Sequence, residues 1–107
     1  MTDAATHSAY RERPEVVTLR GELDISTLGD ATALVEAAEA TAPSVLVIDL
    51  SGLTFVDSSG VRLVLLADRR AREDGRRLQV RLGTGPALRV FRALGLDGKL
   101  DTLDTVS

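Results

Sequence analysis

The apolar positions of this chain follow strand spacing in three segments. Residues 16–20 and 78–82 alternate between apolar and polar side chains, which predicts a strand in each segment. Residues 44–50 form a nearly unbroken apolar run of strand length, which predicts a strand that is covered on both faces. Ser51 and Gly52 follow this run and predict a turn of the chain.

Three further segments carry apolar residues at helical spacing. Ser26 or Thr27 can cap the first predicted helix, and Pro43 stops it. Pro86 suits the first turn of the third helix, which ends at Gly95. The second helix is predicted to be largely buried because its apolar stripe is wide. The stripes consist of Leu28, Ala31, Leu34, Val35 and Ala38 in the first helix, of Val61, Leu63, Val64, Leu65, Leu66, Ala67 and Ala71 in the second, which runs from Val61 to about Arg72, and of Leu88, Phe91 and Leu94 in the third.

Strands and helices therefore alternate along the chain. This order predicts an α/β domain whose central strands are mostly parallel and are joined by right-handed crossovers. Residues 1–13 are polar and are interpreted as a flexible N-terminal segment or a short edge strand near Ala9-Tyr10. Residues 14–107 are assigned to the domain, although the short acidic segment 96–107 predicts no particular element.

The composition limits the class of protein. The chain has 107 residues, of which 44% are hydrophobic and 3% aromatic, so it fits one small domain with an aliphatic core. Cysteine is absent, which excludes disulfides and thiolate metal sites. The N-terminus lacks the pattern of a signal peptide, and no apolar run approaches the roughly 18 residues of a membrane helix. These features predict a soluble, cytoplasmic domain with no membrane partner.

The net charge of −3 conceals an uneven distribution. Residues 1–61 hold ten acidic residues against three arginines, whereas residues 62–92 hold nine arginines against three acidic residues. A basic segment can attract an acidic partner, but a solvated face of amphipathic helices is the favoured interpretation. The pI of about 5.1 and the lack of aromatic residues among the arginines argue against binding of nucleic acid.

The stretch Asp57-Ser58-Ser59-Gly60 joins an apolar run to the second predicted helix. Backbone N–H groups at the start of a helix are unpaired and favour negative charge. A serine at this place can cap the helix, attack a substrate or accept a phosphate.

Catalysis by this chain is the least favoured of the three roles. A serine hydrolase needs a base, and the single histidine, His7, lies in the N-terminal segment. A Gly-x-Ser-x-Gly elbow and a phosphate-binding P-loop are both absent. No spacing rule makes a metal site of Asp24, Asp49 and Asp57, which all lie near predicted strand ends. The prediction is therefore a protein that is not an enzyme and holds no cofactor or metal.

Capping explains only part of the motif. Asp57 or Ser58 can cap the helix, which is worth roughly 1 kcal/mol. Gly60 in the first turn costs up to about 1 kcal/mol relative to alanine, and we interpret it as permitting the close approach of another backbone. An exposed hydroxyl with no bulk beside it predicts a docking or modification site. The segment 83–86, Gly-Thr-Gly-Pro, is interpreted as a helix N-terminal turn rather than a dinucleotide loop.

Residues 47–61, from Val-Ile-Asp-Leu to Asp-Ser-Ser-Gly-Val, resemble the signature of STAS domains, specifically of the anti-sigma factor antagonists. Residues 21–24, Gly-Glu-Leu-Asp, and residues 94–96, Leu-Gly-Leu, resemble two further motifs of that family. The resemblance covers roughly residues 15–103. It implies a single STAS-like domain with a mixed, mostly parallel sheet of about four to five strands packed with helices.

The resemblance also implies a mechanism of partner switching in transcription regulation. The unphosphorylated protein would bind an anti-sigma factor serine kinase and release the sigma factor, and phosphorylation would end that binding until a serine phosphatase resets it. The phosphate would be carried by Ser59, with Ser58 as second choice. Asp24, Asp57, Ser58 and Gly60 would belong to the partner-binding surface. The alternative is a non-phosphorylated STAS binding module of a transport or signalling scaffold complex.

Overall fold

Four strands and three helices alternate along residues 14–103, the part of the chain that the computed structural model describes. The strands are β1 (Glu15–Leu23), β2 (Val45–Val56), β3 (Arg77–Arg81) and β4 (Thr102–Leu103), and the helices are α1 (Leu28–Glu39), α2 (Ser58–Glu73) and α3 (Pro86–Ala93). The strands form one sheet in the order β1-β2-β3-β4, and each neighbouring pair is parallel. The predicted α/β class is therefore confirmed. The edge strand predicted near Ala9-Tyr10 lies outside the described residues.

Burial along the strands matches their sequence patterns. In β1, Val17 and Leu19 are buried whereas Thr18 is exposed, so only one face of this strand meets the core. In β2, the consecutive residues 46–48 are all buried, which confirms the prediction of a strand covered on both faces. The core is almost entirely aliphatic, and Phe91 of α3 is its one buried aromatic side chain among residues 14–103.

The turn predicted at Ser51 and Gly52 is wrong, because β2 continues through both residues to Val56. Two register shifts let it do so: one lies between the pairs Thr18↔Asp49 and Arg20↔Gly52, and the other lies where Gly21↔Leu53 is followed by Glu22↔Phe55. Each shift places one extra residue in β2, as in a β-bulge. The extra residues are absorbed without breaking the pairing with β1, and Leu23 and Val56 end side by side.

The helices pack on the sheet with narrower buried faces than their sequences predict. Helix α1 packs against β1 and α2, α2 also packs against β3, and α3 packs against β2. Leu65 and Leu66 of α2 were expected to be in the apolar stripe, but they are 37% and 42% exposed. Leu34 of α1 is also exposed, because Ala31 and Val35 supply the buried positions of that turn.

The helix boundaries are close to the predicted ones. Helix α3 starts at Pro86 and is followed by Gly95 at a φ of 72°, a left-handed conformation that glycine adopts without strain. Within residues 14–103, none of the three helices has the length and apolar character needed to cross a membrane.

Candidate functional site

The carboxyl ends of β1 and β2 bring two separate loops together. The backbone N–H of Asp57, directly after β2, donates a hydrogen bond of 3.1 Å to the carbonyl oxygen of Leu23, the last residue of β1. Residues 24–27, which connect β1 to α1, therefore lie beside residues 57–60, which open α2. We call the group formed by Asp24, Ile25, Asp57, Ser58 and Ser59 the strand-end site. It stands on loops that a rigid sheet positions, which is where binding residues are commonly found.

Asp57 is the N-cap of α2, which decides between the two caps, Asp57 and Ser58, that the sequence offered. Its Oδ1 atom accepts hydrogen bonds from the backbone N–H of Ser59 at 2.9 Å and of Gly60 at 3.3 Å. The Ser59 hydroxyl donates to the same oxygen at 2.5 Å. Two N–H groups of the first turn, which the sequence left open for a phosphate, are therefore already bound to a carboxylate.

These contacts keep Asp57 ionised. The hydroxyl of Ser59 is the main cause that lowers the pKa of the Asp57 carboxyl below its usual value, while partial desolvation opposes it. The backbone N–H groups of Gly60, Ser59 and Ile25 lower this pKa further. The contribution of Ile25 comes from the other loop of the site, so the Asp57 carboxylate faces both loops.

Asp24 organises the first loop in a similar way. Its Oδ1 accepts from the backbone N–H groups of Ser26 at 3.0 Å and Thr27 at 3.2 Å, and from the Ser26 hydroxyl at 2.7 Å. Thr27 stands at the N-cap position of α1, but its hydroxyl turns back to the Glu22 carbonyl at 2.9 Å and makes no cap bond. The side-chain capping predicted for Ser26 or Thr27 is therefore wrong, and Asp24 instead organises the turn that precedes α1.

The two carboxylates are close enough to repel one another. The Ser26 hydroxyl is the main cause that lowers the pKa of Asp24, whereas partial desolvation and the charge of Asp57 act in the opposite direction. The sequence places Asp24 and Asp57 far apart, and the parallel pairing of β1 with β2 brings them into one acidic patch.

At three places in the described part of the chain, a serine makes the same pair of hydrogen bonds to the aspartate two positions before it. In each, the serine hydroxyl and backbone N–H both donate to Oδ1 of the aspartate, and we call these units Asp-x-Ser turns. The hydroxyl-to-carboxylate distances are 2.7 Å for Ser26 and Asp24, 2.7 Å for Ser51 and Asp49, and 2.5 Å for Ser59 and Asp57. Ser26 precedes α1 and Ser51 lies within β2, so only Ser59 belongs to the first turn of a helix.

The two serines of the Asp-Ser-Ser-Gly stretch differ in environment. Ser58 is exposed, and its hydroxyl bonds to no other residue of the described part of the chain. Ser59 is half-buried, and its hydroxyl is oriented by Asp57. Of the two hydroxyls, only that of Ser59 is held in a fixed orientation by another residue of the described part of the chain.

Gly60 is required by packing inside the protein. It is buried, and a Cβ atom built on it would lie 2.8 Å from Cγ and Cδ2 of Leu23 and 2.8 Å from Cγ2 of Val56. The expected close approach of another backbone is wrong, because side chains of β1 and β2 occupy that space. The assignment of Gly60 to the partner-binding surface stays a prediction.

Most arginines of the basic segment are paired within the fold. Arg69 and Arg72 contact acidic residues one turn away on α2, and Arg70 donates to Glu39 of α1 at 3.0 Å. This pattern agrees with a solvated helical face. Within residues 14–103, no group of three or more His, Cys, Asp or Glu side chains is placed to hold a metal ion, and His7 lies outside the described residues.

One residue of the site was missed by the sequence reasoning. Ile25 is 76% exposed between Asp24 and Ser26. The sequence did carry one signal for an exposed apolar residue here. Ile25 is flanked by polar residues in a short loop and lies outside any apolar stripe.

Comparison with known proteins identifies the family. A family model described as "Mlab, STAS domain" matches residues 8–103, so this chain belongs to the STAS domain family. A crystal structure of an anti-sigma factor antagonist from Mycobacterium paratuberculosis is 28% identical, with a TM-score of 0.77 over 89% of this chain and 80% of that chain. The unphosphorylated anti-sigma factor antagonist SpoIIAA is also 28% identical, with a TM-score of 0.65 over 90% of this chain and 83% of that chain.

A third structure shares the fold alone. A sulfate transporter family protein from Wolinella succinogenes is 14% identical, with a TM-score of 0.70 over 99% of this chain and 88% of that chain. No curated protein matches the chain.

Proposed function

We propose that this chain is an anti-sigma factor antagonist that is switched by phosphorylation of Ser59. In its unphosphorylated form it binds an anti-sigma factor serine kinase in the cytoplasm, and the sigma factor is released. Phosphorylation ends this binding, and a serine phosphatase restores it. The chain performs no catalysis of its own in this cycle.

The observation that carries this proposal is the hydroxyl of Ser59, which Asp57 holds in one orientation at the edge of an acidic surface. The similarity to two solved antagonists at 28% identity supports the same role. Both loops of the strand-end site are fixed by internal hydrogen bonds, so little backbone freedom is lost when a partner binds them.

The transfer itself needs ATP bound to the kinase. The Ser59 Oγ atom attacks the γ-phosphorus, the new Oγ–P bond forms, and the bond from the γ-phosphorus to the bridging oxygen of the leaving ADP breaks. The hydroxyl proton is released to the kinase or solvent, because Asp57 has a lowered pKa and is a poor proton acceptor. Asp57 orients the hydroxyl.

Phosphorylation changes the site in two ways. Ser59 loses the proton that it donates to Asp57, and the new group adds about −1.5 to −2 charge beside Asp24 and Asp57. Since Asp57 already occupies the N–H groups of Ser59 and Gly60, the phosphate finds no free cap there. The charge therefore acts on the partner surface, and a partner that binds two carboxylates meets a third, larger anion.

Incubation with the candidate kinase and ATP, followed by mass-spectrometric mapping, tests the proposal. We expect label on Ser59, none in Ser59→Ala, and retained label in Ser58→Ala. Label on Ser58 alone would move the site by one residue. Absence of label on both serines, with an active kinase, would reject the proposal.

A phosphomimetic variant tests the consequence. We expect Ser59→Asp to weaken binding to the cognate kinase with little change in melting temperature, since the substitution removes the hydroxyl bond to Asp57 and leaves the buried core unchanged. Unchanged binding, or a collapse of the melting temperature, would contradict a switch that acts on the partner.

The second candidate is a STAS binding module that is not phosphorylated. The likeness of fold to the sulfate transporter family protein favours it, because it places this fold in a protein of a transporter family. Absence of label together with capture of a transport or scaffold component would support this candidate. Neighbouring transporter genes would support it too, whereas a neighbouring gene for a kinase or a sigma factor would support the antagonist.

A further inference from the structure

Ile25 is the most exposed large apolar side chain among residues 14–103, at 76%. Single exposed apolar residues are common on protein surfaces, so this exposure alone assigns no role. Ile25 differs in position from the other exposed large apolar residues outside α2, because none of them belongs to the strand-end site: Val16, Leu34, Phe55 and Leu94. Ile25 lies inside the strand-end site, next to Asp24 in sequence and on the loop that lies beside residues 57–60.

The loop that carries Ile25 is held on both sides. Asp24 binds the backbone N–H groups of Ser26 and Thr27, and the Asp24 N–H donates to the Thr27 hydroxyl at 3.0 Å. Thr27 is in turn bonded to the Glu22 carbonyl. An apolar side chain on such a loop is presented in one position, so little backbone freedom is lost when a partner covers it.

The surroundings of Ile25 are acidic. Asp24 and Asp57 both have a pKa below the usual value and are ionised at neutral pH. Glu22 at the end of β1 and Asp30 in the first turn of α1 are exposed nearby in the chain. An apolar side chain bordered by carboxylates is complementary to a protein surface with an apolar recess and a basic rim.

We propose that Ile25 is the apolar anchor of the partner-binding surface, and that its side chain inserts into an apolar recess of the anti-sigma factor kinase. This inference rests on the proposed function and deepens it. The same geometry explains how a phosphate on Ser59 acts: covering Ile25 would also bury the neighbouring phosphate, and a rim of cations that matches two carboxylates leaves this additional charge and bulk without a partner.

The test uses the full chain with Ile25→Ser and, as matched control, Leu94→Ser. Leu94 is 58% exposed, stands at the C-cap of α3 and is not part of the strand-end site. Calorimetric titration of the unphosphorylated variants against the cognate kinase should give an affinity about tenfold weaker or more for Ile25→Ser, as for residues at the centre of an interface. Leu94→Ser should bind as the unchanged protein does, and both variants should keep its melting temperature.

A second measurement separates binding from folding and chemistry. In the kinase assay, Ile25→Ser should raise KM by a similar factor and leave kcat within about twofold, because the anchor binds substrate and transition state alike. Affinity and KM of Ile25→Ser within about twofold of the unchanged protein would overturn the anchor. An equal loss in Leu94→Ser would overturn it as well.

Failure of the anchor is distinguishable from failure of the proposed function. If the unchanged protein neither binds the kinase nor accepts phosphate, both are rejected. If it binds and is labelled while Ile25→Ser behaves normally, only the anchor is rejected.

Discussion

Replacing Gly60 by alanine tests whether the interior of the domain requires a glycine in the first turn of α2. The added Cβ would lie 2.8 Å from two atoms of Leu23 and one of Val56. Carbon atoms that are not bonded pack well at about 3.5–4.0 Å, so at least one neighbour has to move. Leu23 is only 2% exposed, and Val56 is also buried, so neither can turn into solvent.

The expected magnitude follows from two opposing terms. Overpacking of a closely packed core costs about 1–3 kcal/mol. Alanine is favoured over glycine within a helix by up to about 1 kcal/mol, and by less in the first turn. We therefore expect Gly60→Ala to lower the free energy of unfolding by about 1–2 kcal/mol. Each kcal/mol lowers the melting temperature of a domain of this size by about 4 °C or more.

Gly29 provides the matched control. It lies in the first turn of α1, and a Cβ built on it would have no heavy atom within 4 Å. Gly29→Ala should leave the stability unchanged or raise it by up to about 1 kcal/mol. Urea unfolding and thermal melts followed by circular dichroism measure both variants. Equal stability of Gly60→Ala and Gly29→Ala would refute the packing argument and return Gly60 to the partner surface.

Three further predictions concern other parts of the fold. Gly83 and Gly75 both have a φ of 72°, but of the two only Gly83 would bring a Cβ against another residue, Ser51, at 2.6 Å. In urea unfolding, Gly83→Ala should therefore lower the free energy of unfolding by at least about 1 kcal/mol more than Gly75→Ala does, and equal losses would refute the overlap. Because folding lowers the pKa of Asp57, its ionised form stabilises the fold above the unfolded pKa of about 3.9 and this contribution disappears as the pH falls through the lowered value. Asp57→Asn should thus be destabilised at neutral pH and show a flatter fall in stability below about pH 4, and an identical acid profile would contradict this. Phe91→Ala, at a fully buried position, should lower the free energy of unfolding by about 3–5 kcal/mol, and a loss below about 1 kcal/mol would show that the site collapses around the change.

The fold could be predicted largely from spacing, because burial imposes the period of each element. Prediction from sequence fails where pairing with a neighbouring strand overrides the turn preference of the local residues. Ser51 and Gly52 favour a turn by composition, yet β1 offers hydrogen bonds along the whole of β2. Asp49 also satisfies the N–H and hydroxyl of Ser51 inside the strand, so no turn is needed.

The sequence predicted where each helix begins and ends better than it predicted which residues of the helix are buried. An apolar residue is equally compatible with a buried stripe and with an exposed one, and only the packing of neighbouring elements decides. Leu65 and Leu66 widen the apolar stripe of α2 in the sequence, but the smaller Ala67 and Ala71 take the buried positions.

The sequence indicated the candidate site through the Asp-Ser-Ser-Gly stretch, and of the two caps it offered, Asp57 and Ser58, the structure shows Asp57. The physical reason for Gly60 was not accessible from sequence, because Leu23 becomes its neighbour only when β1 pairs with β2. The proximity of Asp24 depends on the same pairing. Ile25 was overlooked because an isolated apolar residue carries no periodic signal.

The three Asp-x-Ser turns allow Ser59 to be compared with two serines of the same protein that make the same local hydrogen bonds. Ser26, Ser51 and Ser59 share the same hydroxyl-to-carboxylate chemistry but differ in the element that presents them. An enzyme that recognised only the local turn would modify all three to comparable extents. If Ser59 is the phosphate acceptor, as proposed above, its selection must therefore come from the folded surface around it. A short peptide with residues 55–61 would then be a much poorer substrate than the intact domain.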